Sequence, residues 1–75
     1  MSDQKRRIIS YIKEHGSITP AEAFVNLGIY NFSARLAELK SEGYAFDMKL
    51  EKTVNQYGTI RFGRYTITEE PRAAG

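Results

Sequence analysis

The sequence contains no cysteine, so neither a disulfide nor a thiolate-bound zinc can stand in for a large core, as they do in many small domains. A single histidine, His15, is all the imidazole available, which leaves little from which to build a nucleophile with its base or a metal site. No apolar run approaches the length that spans a bilayer, and the polar start Met1-Ser2-Asp3-Gln4-Lys5-Arg6-Arg7 is not followed by the apolar stretch of a secretory signal. A soluble, cytoplasmic protein with no membrane partner is expected. The chain has 75 residues, enough for one compact core held by packing alone.

Other chemistry is thinly represented too. The pairs Glu38/Glu42 and Glu69/Glu70 are the nearest thing to an acid and its base, but the first has helical surface spacing and the second falls in a stretch with no period. Gly58-Thr-Ile-Arg-Phe-Gly63 places its two glycines inside a strand pattern rather than in a phosphate loop that opens a helix. The expectation is a non-enzyme with no catalytic residue, metal, cofactor or small-molecule ligand. His15 suits the C-terminal end of a helix. Net charge is only +2, which is compatible with a nucleic-acid partner without specifying one. Lys5, Arg6 and Arg7 cluster at the front. Lys49, Lys52, Arg61 and Arg64 gather in the second half, where Asp47 and Glu51 partly offset them.

What is present is strong local punctuation. From Asp3 to His15, Ile8, Ile9, Tyr11 and Ile12 recur at helical spacing, with Ser2 or Asp3 as N-cap and Gly16 as the stop. In Thr19-Pro20-Ala21-Glu22 the threonine caps, the proline suits the first helical position and the glutamate reaches back, so a second helix starts at Pro20. It carries Ala23, Phe24 and Leu27 on one side before Gly28 ends it. Asn31 then caps a third helix with Phe32, Leu36 and Leu39 inward, ended by Gly43.

After Gly43 the period changes from helical to alternating. Phe46, Met48 and Leu50 alternate with Asp47, Lys49 and Glu51, and Ile60, Phe62, Tyr65 and Ile67 form a second run beyond Asn55-Gln56-Tyr57-Gly58. These make a hairpin. The parity slip between Phe62 and Tyr65 predicts a β-bulge at Gly63. The expected core is Ile8, Ile12, Phe24, Leu27, Phe32, Leu36, Leu39 and Phe46. Residues 1–68 are read as the domain and 69–75 as a flexible C-terminal tail.

Helix, capped short helix, glycine turn, helix, then hairpin is the element order of an α+β winged helix: a three-helix helix-turn-helix core followed by a two-stranded β-hairpin wing. The stretch Ile18-Thr19-Pro20-Ala21-Glu22-Ala23, Leu27-Gly28-Ile29, Phe32-Ser33-Ala34-Arg35-Leu36, Leu39 and Glu42-Gly43-Tyr44 resembles small prophage-type winged helix-turn-helix DNA-binding domains. Gly58 through Arg61-Phe62-Gly63-Arg64-Tyr65 is similar to their wing. The resemblance covers roughly residues 5–68 and implies duplex DNA as the partner, often in phage transcription regulation, with a homodimer or a partner protein to strengthen binding. The wider fold also serves as a protein-interaction module, so a phage factor that binds or inhibits a host protein is the alternative.

Such a domain needs one helix whose outer face enters the major groove while its inner face packs. The candidates on the third helix and its lead-in are Tyr30, Asn31, Ser33, Ala34 and Arg35. Asn31 can pair bidentately with adenine or simply cap the helix, and Ser33 can bond to bases or phosphates. Arg35 can reach guanine or phosphate, or lay its stem on the domain and pair with an acid. Tyr30 can meet phosphate or a thymine methyl, or pack beside the turn. Lys52, Asn55, Gln56, Tyr57 and Arg61 surround the wing tip and can meet phosphates or the minor groove. An ordinary polar hairpin would look the same. Lys5 and Arg6 can add backbone contacts or be a solvated helix end.

Overall fold

The computed structural model describes residues 3–71. Three helices, α1 (Asp3–His15), α2 (Pro20–Leu27) and α3 (Phe32–Ser41), precede two antiparallel strands, β1 (Ala45–Asn55) and β2 (Gly58–Glu69). Thr19 caps α2 in a full capping box, its Oγ1 accepting from the Glu22 N–H at 3.1 Å while Glu22 Oε1 accepts from the Thr19 N–H at 3.0 Å. Gly28 takes the left-handed conformation at φ 68, where a side chain would be strained, and the N–H groups of Gly28 and Ile29 satisfy the last carbonyls of α2. Ser2, the alternative N-cap of α1, lies outside the described residues.

The core lies among the three helices. Ile8, Ile9 and Ile12 of α1, Ala23 of α2, and Phe32, Leu36 and Leu39 of α3 are buried, together with Ile18 and Ile29 from the connections. Tyr44, Phe46, Tyr65 and Ile67 close it from the hairpin side. Ile18 also pairs with the middle of β2, exchanging hydrogen bonds of 2.9 and 2.8 Å with Tyr65, so the α1–α2 connection acts as a one-residue third strand.

Two expectations are overturned. Phe24 is not in the core but 58% exposed. On an eight-residue helix the inward direction is fixed by Ala23 and Leu27, four apart, and Phe24 is rotated about 100° from Ala23. The second concerns Gly63, which is no bulge: the pairing Leu50↔Gly63 lies in an unbroken register, and the one irregularity is at the base, between Ala45 and Phe46. Because directly paired residues share a face, Ile60 and Phe62 lie on the side opposite Tyr65 and Ile67. The parity slip is an apolar stripe changing faces. Gly63 makes room instead, since a Cβ there would sit 3.0 Å from the Met48 side chain and 3.2 Å from the Tyr65 ring.

The final segment is tied down as far as it is described. β2 runs on to Glu69, one residue past the expected boundary, Glu70 forms an ion pair with Lys13 at 3.0 Å, and Pro71 packs on Gly43. The hydrogen bond to Glu70 raises the Lys13 pKa above its ordinary value. Residues 72–75 of the expected tail lie outside the described residues. No described helix is long and apolar enough to cross a membrane.

Candidate nucleic-acid interface

Inside α3, Phe32, Leu36 and Leu39 fix the helix on the core. Its opposite side then presents Ser33, Ala37 and Ser41, one turn apart, with Glu38 and Lys40 on the flanks, all exposed. At its start Asn31 is the N-cap, its Oδ1 accepting from the Ala34 N–H at 3.2 Å. At its end Tyr44 N–H reaches the Leu39 carbonyl and Gly43 N–H the Lys40 carbonyl, the paired bonds that let Gly43, at φ 109, turn the chain into β1.

The sequence candidates near α3 fall into distinct environments. Tyr30 is 89% exposed, its ring 6.4 Å from that of Phe24, and Ser33 and Asn31 are exposed as well. Ala34 is half-buried. Arg35 is half-buried too, with Nε 2.8 Å from Glu38 and an Nη1–H donated to Gln4 at 3.4 Å, which is the stem-on-domain arrangement. The wing candidates Lys52, Asn55, Gln56, Tyr57 and Arg61 are all exposed. They gather at the far end of the hairpin, on an element separate from α3. The tip is shaped locally: Asn55 Oδ1 accepts from the Tyr57 N–H at 2.8 Å, and Gly58 takes φ 125 immediately after. Lys5 of α1 is paired with Glu42, whereas Arg6 is exposed.

One residue that positions this surface stands in the sequence only as a member of the basic group in the second half. Arg64 of β2 donates from Nε to Glu51 at 2.9 Å and from Nη1 to the Ser17 hydroxyl at 3.0 Å, and it lies 3.6 Å from Glu22. It thereby joins the hairpin to the α1–α2 connection and to the capping box of α2. The hydrogen bond it donates to Glu51 raises its pKa, against a smaller opposing effect of desolvation. Its partners are up to 47 residues away in the chain, so no local pattern marks the role. Among the described residues no group of three or more His, Asp or Glu side chains is arranged to hold a metal ion.

Three packed helices followed by a hairpin, with α3 set on the core and its outer face open, define a winged helix. The family model of the winged helix-turn-helix domain matches residues 3–70, nearly the whole chain, and the protein belongs to that family. Membership points to DNA binding as its general activity and DNA as its partner, on a fold that is typically not enzymatic. No curated protein and no solved structure matches the chain.

Proposed function

We propose that this chain is a sequence-specific duplex-DNA-binding protein that acts in phage or prophage transcription regulation in the cytoplasm, with α3 in the major groove and the hairpin on the backbone or minor groove. The outward face of α3 carries this reading, because Ser33, Ala37 and Ser41 are small and exposed on a helix held from inside by Phe32, Leu36 and Leu39. Small side chains let the helix sit deep in the groove, and hydroxyls bond to bases or phosphates. Tyr30, Asn31, Ser33, Ala34 and Arg35 are the proposed contacts at the start of α3, and Lys52, Asn55, Gln56, Tyr57 and Arg61 those of the wing. The likeness of the 18–44 stretch to prophage-type domains supports the regulatory role.

One short helix and a lightly charged wing supply few phosphate contacts. Affinity is therefore gained by a homodimer over two half-sites or by working beside a partner protein. A second reading, a protein-interaction module such as a phage factor acting on a host protein, is favoured by one observation: Phe24, Val25 and Tyr30 are large apolar residues exposed close together around the α2–α3 turn. Titrating the full chain with duplexes from the DNA flanking its gene, and with unrelated duplexes, at two salt concentrations separates the two. DNA binding requires affinity that falls with salt and differs between duplexes. No measurable affinity for any duplex leaves the protein-interaction reading, to be pursued on the same face.

A further inference from the structure

The cations of this chain divide into those already neutralised and those that are not. Lys5 is paired with Glu42, Arg7 with Asp3, Lys13 with Glu70, Arg35 with Glu38, and Arg64 with Glu22 and Glu51. Among the described residues, Arg6, Lys40, Lys49, Lys52 and Arg61 form no such pair. Lys49 lies beside Asp47 and Glu51 on the face that looks back toward His15 and Ser17. Lys52 and Arg61 lie in a stretch, 52–61, that contains no carboxylate, and the adjacent Glu51, which borders the same hollow, is engaged by Arg64. Lys52 and Arg61 are also register partners, so two like charges point the same way directly across a two-stranded ribbon. That arrangement is destabilising in the free protein.

Around the pair the surface is mixed. Thr59 and the exposed apolar Leu50 and Val54 share their face, Asn55, Gln56 and Tyr57 stand at the tip, and Leu50 and Glu51 border the shallow hollow that Lys52 and Arg61 line. Tyr57 is 87% exposed. Among the described residues neither Lys52 nor Arg61 forms an ion pair, and the one carboxylate at the hollow, Glu51, is held by Arg64. The segment 31–42 around α3, by contrast, holds Arg35 and Lys40 against Glu38 and Glu42, and only Lys40 of these lacks a partner.

We propose that the outer half of the hairpin, not α3, supplies most of the DNA affinity, with Lys52 and Arg61 acting together as a clamp on backbone phosphates. The inference rests on the duplex-DNA reading and assigns the work within it: the wing holds the duplex irrespective of sequence, and α3 adds preference. A phosphate between the two cations removes their mutual repulsion, so the cost carried by the free hairpin is recovered on binding. A polyanion is the fitting partner, and a second copy of the chain on this face would bring four such cations together.

The test uses the full chain and a fluorescently labelled duplex, with affinity measured by anisotropy across a salt series. Replacing both residues (K52A/R61A) is expected to weaken binding to flanking and unrelated duplexes alike and to flatten the plot of log affinity against log salt by about two units, roughly 0.9 per lost contact. The charge-conserving exchange K52R/R61K is expected to keep the slope, and K40A to lower it by at most about one unit. Thermal unfolding of K52A/R61A should match or exceed the wild type, since a repulsion is removed. A folded K52A/R61A with the wild-type slope overturns the clamp while leaving DNA binding intact. A wild type that binds no duplex overturns the DNA reading and the clamp with it.

Discussion

Helix α3 buries Phe32, Leu36 and Leu39 within ten residues, whereas no residue of the hairpin, twelve residues long in β2, is fully enclosed. The helix is positioned by apolar packing, and its charges are nearly all balanced by neighbours. The hairpin is anchored only along its inner half, where Phe46, Tyr65 and Ile67 meet the core, Ile18 pairs with Tyr65 and Arg64 reaches the loop before α2. Beyond that point it carries Lys52 and Arg61 unpaired. A fixed, electrically quiet helix can discriminate shape and base edges, while an extended charged ribbon can hold a polyanion without discriminating. The fold divides the two tasks between elements that are stabilised in different ways.

The largest expected effect tests the packing half of that contrast. Leu39 is 0% exposed and Leu50 67% exposed. Leu39→Ala should lower stability by about 2–5 kcal/mol through lost burial and a residual cavity. Leu50→Ala should change it by less than about 0.5 kcal/mol. Urea unfolding followed by circular dichroism measures both. Comparable losses would mean that the hairpin shares the core, and the contrast would fail.

The next effect is smaller and separates capping from reading at the start of α3. Removing the Asn31 side-chain acceptor in Asn31→Ala should cost about 1 kcal/mol of stability. Asn31→Ser keeps a capping oxygen and no charge but lacks the amide that adenine pairing needs. It should unfold like the wild type while discrimination at one A·T pair drops by about 1–3 kcal/mol. Unchanged sequence preference in Asn31→Ser would leave this residue a cap and nothing more.

Local signals carried most of the fold. Thr19, Pro20, Glu22, Gly28, Asn31 and Gly43 each act within a few residues of their own position, and each stands at the helix end its chemistry requires. What the sequence could not convey was non-local. Phe24 has the right spacing to Leu27 for a shared stripe, yet which arc of a short helix turns inward depends on where α1 and α3 sit. Gly63 was misread because parity alone cannot distinguish an inserted residue from an apolar stripe that changes faces. Ile18 is one residue long as a strand, too short to show any alternation. For the site, the exposure of Lys52 and Arg61 follows from their place near a turn, but their direct opposition depends on the register. The pairing of Arg35 with Glu38 and the capture of Lys5 by Glu42 withdraw cations that composition alone would have counted as available.

The smallest expected effect on stability sharpens the contrast at the joint between the two regions, where Arg64 holds the wing against the capping box of α2. The Arg64 side chain is 32% exposed, so its ion pairs are partly screened, and Arg64→Ala should lower stability only slightly. Its effect on binding should be out of proportion to that. With the anchor gone the hairpin samples more orientations, and fewer of them present Lys52 and Arg61 while α3 lies in the groove. Affinity falls, but no phosphate contact is removed from the productive complex, so the salt slope should stay near that of the wild type. Arg64→Lys keeps the charge, yet a single ammonium cannot hold Glu51, Ser17 and Glu22 with the fixed fork of a guanidinium, and it should behave like Arg64→Ala. A slope about one unit shallower in Arg64→Ala and restored in Arg64→Lys would show instead that Arg64 itself touches phosphate. The basic surface would then extend to the base of the hairpin, and the division between a holding tip and a structural base would have to be redrawn.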